Sequence, residues 1–325
     1  MKSAALCFLL FICLIPAYAQ LTYTSIDYPG GDGTWIRGIN NHGDMVGAYL
    51  LWYSGHHALL VQNGQFIPLA PTSILGTGFS DAFKINDRGD VVGEVCDDFA
   101  CHGFLYSNGT VTQLDYPGAS DTWATGISEQ GTVTGLGDFY DADGNYVSTH
   151  GFLWNRGVYT DVHVPGADTT SVSDINARGD FIGIWSKFSE DPASHGYLYT
   201  KVWYISLNAP FPGIIQTQPN GLNASDKVVG SCRDAEGWSY AFLWANNKFT
   251  QLNYYDAIKG TALQTTAWGI NSAGRVVGNW YDFDFNVHGW MAVPNNKSKA
   301  AAVGSHPPIH GPASTKLSKA PFNPE

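Results

Sequence analysis

Lys84 and Asp174 are the ionisable residues that stand out first, because each occupies a place in a sixfold sequence repeat where the other four copies carry Gly. An ammonium and a carboxylate that meet can act on a ligand, or they can compensate each other inside a fold that tolerates no lone buried charge. The internal pair is the preferred reading. One position earlier the copies carry Arg37, Phe83, Thr125, Ser173, Asn220 and Trp268. With Trp35, Asp81 and Trp123 in the same segments, the candidate ligand-binding set is Trp35, Arg37, Asp81, Phe83, Lys84, Trp123, Asp174 and Trp268. No catalytic residue and no metal ligand set is assigned.

The residue types present bear on several chemistries. A sialidase needs several Arg to hold a carboxylate in bidentate fashion. Only Arg37 falls among the innermost positions, with Arg88, Arg178 and Arg275 placed in turns. GDGTW from Gly31 and SDTW from Ser120 also space Asp and Trp too closely for an Asp-box. A glycosidase or lyase needs two carboxylates at a defined separation, one with a raised pKa, and the loops offer many Asp between which sequence does not choose. DADGN from Asp141 has alternate carboxylates like the start of a calcium loop, but its Gly comes early and no Glu stands at the twelfth position. An ordinary Asp-Gly hairpin turn is the preferred explanation, so no cofactor is expected, with calcium as the alternative. Cys96 and Cys101 flank CDDFAC between two predicted strands and are expected to form a disulfide. Cys232 is then a lone half-buried thiol.

The elements that must position these residues follow from the repeat. The segment reads INNHGDMVG from Ile39, INDRGDVVG from Ile85, ISEQGTVTG from Ile127, INARGDFIG from Ile175, LNASDKVVG from Leu222 and INSAGRVVG from Ile270, with a period of 42 to 48 residues. Within a unit, short runs rich in Val, Ile, Thr and aromatic residues are separated by Gly or Asn, which predicts four antiparallel strands per unit. Units of this length with four strands are the blades of a β-propeller. The sixth unit lacks a fourth strand, and LTYTSIDYPGG from Leu21 matches VTQLDYPGA from Val111. The expected fold is all-β, a six-bladed propeller whose N-terminal strand completes the last blade.

Asn40, Asn86, Asn176, Asn223 and Asn271, with Ser128, precede the first turn of each blade, where a short polar side chain bonds the backbone two residues on. Gly43, Gly89, Gly131, Gly179 and Gly274 supply a positive φ there, and Asp226 departs. His57, His102, His150, His195 and His288, with Tyr240, open the third strands. Third strands lie away from the axis, so these rings are spread around the molecule and are expected to bond within their own blades.

The units HALL, HGFLY, HGFLW, HGYLY and YAFLW, following I-N-x-x-G-x-V-V-G, resemble the HAF repeat of bacterial extracellular proteins. The match covers about Leu21 to Pro294. The resemblance implies secretion and no established catalytic activity. Many relatives end in a sorting helix, whereas this chain has a polar tail.

Residues 1–19 read as a signal peptide, with one Lys, an apolar core and small residues before Gln20. Residues 295–325 are rich in Pro, Ala, Ser and Lys and are expected to be a disordered tail. The body, 20–294, holds 27 acidic and 12 basic residues. That balance argues against nucleic acid, whose binding relies on phosphate neutralisation. No segment reaches the roughly 20 apolar residues of a membrane-spanning helix. A monomer, extracellular or periplasmic, is expected.

Connections between second and third strands, and from each fourth strand to the next blade, vary in length and emerge on one face. Sixteen of the 27 body acids fall there, against three basic residues, Lys187, Arg233 and Lys259, with aromatics interleaved. Rings beside carboxylates suit polysaccharide recognition. Three functions stay open: a non-enzymatic polysaccharide-binding propeller, which leads; a hydrolase or lyase with carboxylates at the channel mouth; and a scaffold for a basic protein.

Overall fold

A computed structural model describes residues 21–69, 78–188, 191–252, 254–256 and 260–295. The expected signal peptide, and the expected tail apart from Asn295, lie outside the described residues. The chain is a six-bladed β-propeller. Blade 1 comprises β2 (Gly33–Ile39), β3 (Met45–Leu51), β4 (Gly55–Gln62) and β5 (Gln65–Pro68). Blade 2 comprises β6 (Phe79–Ile85), β7 (Val91–Cys96), β8 (Cys101–Ser107) and β9 (Thr110–Leu114); blade 3 comprises β10 (Asp121–Ile127), β11 (Val133–Tyr140), β12 (Tyr146–Asn155) and β13 (Val158–Val162). Blade 4 comprises β14 (Thr169–Ile175), β15 (Phe181–Lys187), β16 (Asp191–Thr200) and β17 (Trp203–Ser206); blade 5 comprises β18 (Ile214–Leu222), β19 (Val228–Asp234), β20 (Ser239–Ala245) and β21 (Lys248–Leu252). Blade 6 comprises β24 (Gln264–Ile270), β25 (Val276–Tyr281) and β26 (Val287–Pro294), completed by β1 (Leu21–Ile26) at its outer edge. The closing strand is antiparallel to β26, running from Leu21 opposite Pro294 to Ile26 opposite Gly289. The run FTQLNYYD does not form one strand: β21 stops at Leu252, and Tyr255–Asp256 (β22) pairs with Gly260–Thr261 (β23) in a small separate hairpin.

The apolar clusters lie between blades. One joins Ala241 and Leu252 of blade 5 to Ala267, Val276 and Trp290 of blade 6, and another joins Val46 and Ala58 of blade 1 to Ala82, Val91 and Phe104 of blade 2. Alternating strands give each blade two apolar faces, which neighbouring blades cover.

The repeat motif encodes a second connection between blades. Each Asn side-chain carbonyl accepts backbone N–H bonds within its own turn, as Asn86 does from Arg88 and Asp90 and Asn223 from Ser225 and Lys227. Its Nδ2 then donates to the backbone carbonyl at the same position of the next blade. Asn40 reaches Asn86 at 3.3 Å, Asn86 reaches Ser128 at 3.2 Å, Asn176 reaches Asn223 at 3.5 Å, Asn223 reaches Asn271 at 3.0 Å and Asn271 returns to Asn40 at 3.0 Å. This belt surrounds the narrow end of the channel. Ser128 has no amide to continue it, and its Oγ accepts from the N–H of Thr132, at 3.1 Å.

Every inner strand is irregular at the same place in the repeat, and β18 has a second slip at Ile215. The register slips at Arg37, Phe83, Thr125, Ser173, Asn220 and Trp268, leaving each of these residues unpaired with the second strand. Such a bulge turns its residue out of the ladder. The last Gly of V-V-G is the counterpart: a Cβ on Gly47 would meet Trp35 O at 1.9 Å, and one on Gly183 would meet Ser171 O at 1.9 Å. Asp226 adopts φ +55° where the other blades use Gly.

Candidate functional site

The six bulged residues face the channel, and the residues after them decide how open it is. At Gly38, Gly126 and Gly221 the neighbouring inner strand passes too close for a side chain, and at Gly269 it leaves little room; a Cβ on Gly126, for example, would lie 2.8 Å from the Asp174 Cα. Lys84 and Asp174 take the two remaining places. Lys84 Nζ donates to Asn220 O at 2.7 Å and Trp268 O at 2.6 Å and stands 3.6 Å from Asp174 Oδ2. Asp174 in turn accepts from the Ile175 and Leu222 N–H groups. Burial pushes the Lys84 ammonium down and the Asp174 carboxyl up, each against the attraction of the other. The pair ties blade 2 to blades 4, 5 and 6.

This crossing separates a narrow-end cleft of about 120 Å³, lined by Asn40, Asp87, Glu129, Asn176 and Asn271, from a basin of about 320 Å³ on the wide side. Phe83, Trp123, Trp268, Leu136 and Ile184 supply the apolar lining of the basin, and Thr125, Ser171, Ser173, Gln218, Asn220, Arg37 and Asp138 the polar lining. The basin shares Arg37, Ile184, Gln218 and Trp268 with a groove of about 620 Å³ that runs outward past Trp35, Gln216, Tyr281 and Phe285.

Arg37 is held by rings on both sides, with its guanidinium carbon 5.1 Å from the Phe83 ring centre and 4.9 Å from that of Trp268. Its Nη2 lies 3.5 Å from Asp81 Oδ2, and His56 Nδ1 lies 3.4 Å from the same oxygen. Trp35 packs on His56 with ring centres 4.5 Å apart. Of the expected set, Trp35, Arg37, Phe83, Lys84, Trp123 and Trp268 therefore line the basin or groove. Asp81 is buried beneath them, 3% exposed, and Asp174 lies on the narrow side of the crossing.

Sequence reasoning missed Glu94. It is the cross-strand neighbour of Asp81 and is buried in β7. Burial first, and then the Asp81 charge, push its carboxyl up to about 7, against opposing contributions from Arg37 and a hydrogen bond from Trp123. Burial works against ionisation of Asp81 too, yet Arg37, His56 and the hydrogen bond from Glu94 bring its carboxyl below the ordinary value. Below about pH 7 the two acids hold one proton between them, on Glu94. The signal was available as the alternation V-V-G-E-V-C, which places Glu94 on the same face as Val92 and Cys96.

The disulfide between Cys96 and Cys101 is present, with Cα atoms 4.0 Å apart at the last register pair of β7 and β8. Among the described residues, Glu94, Cys96 and Cys101 form a compact group of metal-binding types, but its two sulfurs are bonded to each other. Cys232 is buried, and burial pushes its thiol up to about 12. DADGN is a turn: Asp141 Oδ1 accepts from the N–H groups of Asp143 and Asn145, and Gly144 has φ +79°. The third-strand histidines bond inside their blades: His102 to Asp115 at 2.6 Å, His288 to Asp27 at 2.7 Å, His57 to Ser54 at 2.8 Å.

No known family profile matches the sequence, and a comparison with curated proteins finds no match. Among solved structures, the fold is similar to that of the fucose-specific lectin from Aleuria aurantia, with a TM-score of 0.45 and 10% identity, covering 86% of this chain and 97% of the lectin. It is also similar to TolB from Acinetobacter baumannii (TM-score 0.45, 11% identity, 77% of this chain and 63% of that one) and to the polysaccharide lyase Uly1 (0.46, 8%, 85% and 78%). These likenesses concern overall shape, and function has to be read from the chain's own residues. Among the described residues no helix is long and apolar enough to cross a membrane.

Proposed function

We propose that this chain is a secreted binding propeller of the HAF-repeat kind, and that its wide-end basin holds a sugar unit of an extracellular polysaccharide. The observation that carries this reading is the composition of the basin. Trp123, Trp268 and Phe83 offer ring faces to sugar C–H groups, while Thr125, Ser171, Ser173, Gln218 and Asn220 offer hydroxyls and amides. Its two cationic lining residues are already partnered, Arg37 with Asp81 and Lys84 with Asp174. The test is a glycan array probed with the wild type, Trp123→Ala and Trp268→Ala. Loss of a ring face is expected to weaken binding about tenfold, and unchanged binding by both variants would remove the basin as the site.

A hydrolase or lyase has one observation in its favour. Asp138 lines the basin, and its carboxyl is raised by burial and by Asp121, its partner across the strand. New reducing ends or unsaturated products from a bound polysaccharide, abolished in Asp138→Asn, are the result that would support it.

A further inference from the structure

The loop joining the second and third strands carries an exposed aromatic in five blades, Trp52, Phe99, Phe188, Trp238 and Phe285, and in blade 3 the exposed Tyr140 ends the second strand beside it. Phe99 is 95% exposed and Trp52 79%. These rings are not needed to shape the loops, because a carboxylate near each loop's base does that. Asp97 Oδ1 accepts from the N–H groups of Phe99 and Ala100, Asp234 Oδ1 from Trp238, and Asp282 Oδ1 from Asp284 and Asn286. Asp32 and Asp168 reach across from the preceding connection to Trp52 and Phe188 in the same way.

Phe285 separates presentation from folding most clearly. The loops of blades 3, 5 and 6 close with the same backbone bonds, from Gly144 to Asp141, Gly237 to Asp234 and Phe285 to Asp282. Gly144 and Gly237 occupy the left-handed region at φ +79° and +91°, and blade 6 places Phe285 there at φ +64°. A bulky side chain in that region is an outlier that the fold does not need. Its ring lines the wide groove.

Beside these rings stand carboxylates that cap none of the loops. Asp98 adjoins Phe99, Asp284 adjoins Phe285, and Glu236 lies two residues from Trp238, all exposed. The pairing of an exposed ring with an exposed carboxylate thus recurs around one rim. Ring faces attract both sugar C–H groups and cations, carboxylates attract ammonium groups, and recurrence around a ring fits a ligand with a repeating unit. We propose that the loop crown docks an amine-bearing polysaccharide, a glucosamine polymer with free ammonium groups. This rests on the polysaccharide reading of the wide face and adds to it the charge of the ligand and the contribution of the rim.

The test measures binding of the full chain to a glucosamine oligomer and to its N-acetylated counterpart, at low and high salt, with polylysine as a competitor. Three variants accompany the wild type: a ring variant, Phe99→Ser with Trp238→Ser; a charge variant, Asp98→Asn with Glu236→Gln and Asp284→Asn; and the basin variant Trp123→Ala. All substituted rim side chains are exposed, and melting curves check that each variant is folded. The proposal expects at least about tenfold preference for the free amine, loss of that preference in the charge variant, and weaker binding of both oligomers in the ring variant. Equal affinity for the two oligomers, or no binding to either, overturns it. Polylysine binding that is indifferent to the ring variant also overturns it, in favour of a basic protein partner. Loss in Trp123→Ala with normal binding by the rim variants sinks the crown and leaves the basin, whereas the reverse pattern sinks the basin and leaves the crown.

Discussion

Lys84 Nζ stands 3.6 Å from Asp174 Oδ2, joining the inner strands of blades 2 and 4, and the same ammonium bonds the backbone carbonyls of Asn220 and Trp268 in blades 5 and 6. Removing one member of a buried pair leaves the other charge uncompensated, at a cost of about 3–5 kcal/mol. Lys84→Met and Asp174→Leu are each expected to lower stability by that order. The double variant should cost clearly less than the sum, because the lone charge is gone even though the two carbonyls and the Leu222 N–H lose partners. Urea denaturation of the four proteins checks this. Additive losses would mean that the two side chains act independently.

The Asp81–Glu94 pair makes stability depend on pH in a definite direction. Glu94 is raised from 4.5 to about 7 in the folded protein, so between these values the folded state holds a proton that the unfolded state has released. Stability from this group is complete below 4.5 and falls as pH rises to about 7, by about 3 kcal/mol. Glu94→Gln keeps an N–H donor for Asp81 and an acceptor for Trp123 without the ionisation. It is expected to melt like the wild type at pH 5 and well above it at pH 8. Parallel melting curves at both pH values would show that Glu94 ionises freely.

The amide belt has one gap, and the gap can be filled. Asn223 is buried, receives two N–H bonds and donates one to Asn271 O. Asn223→Ala should therefore cost about 2 kcal/mol or more, since buried donors and acceptors are left without partners. Ser128→Ala removes one bond, to Thr132, and should cost about 1 kcal/mol. Ser128→Asn supplies the missing amide toward blade 4 and is expected to raise stability by about 1 kcal/mol. A destabilised Ser128→Asn would show that blades 3 and 4 leave no room for it.

The blades were legible in the sequence because I-N-x-x-G-x-V-V-G carries a turn and a strand in nine residues and returns six times. Ring closure was legible because LTYTSIDYPGG copies a fourth strand. The positions of the channel-facing residues were legible too, from the place in the repeat where type is not kept. Less was visible of what the repeated residues do. That Asn has two ends was plain, but only the ring geometry brings its Nδ2 against the next blade. The acidic rim looked like a ligand surface as a whole, yet Asp97, Asp141, Asp234 and Asp282 hold their own loops. Asp81 looked like a groove residue, and it lies below the groove because Glu94, His56 and Arg37 close over it.

Phe285 gives a prediction in which stability and binding move in opposite directions. Its backbone sits at φ +64°, in the region where non-glycine residues pay about 1–2 kcal/mol. Its side chain is 65% exposed, so little burial is lost when the ring is removed. Phe285→Gly gives blade 6 the residue that blades 3 and 5 have at the same place, and the extra freedom of an unfolded Gly offsets part of the gain. A net rise of about 0.5–1 kcal/mol in unfolding free energy is expected, measured by urea denaturation. The same substitution takes a ring from the wall of the wide groove and should weaken polysaccharide binding severalfold. A more stable protein that binds as well as the wild type would mean that the ring is incidental. A less stable one would mean that Phe285 packs in the folded state more than its exposure indicates.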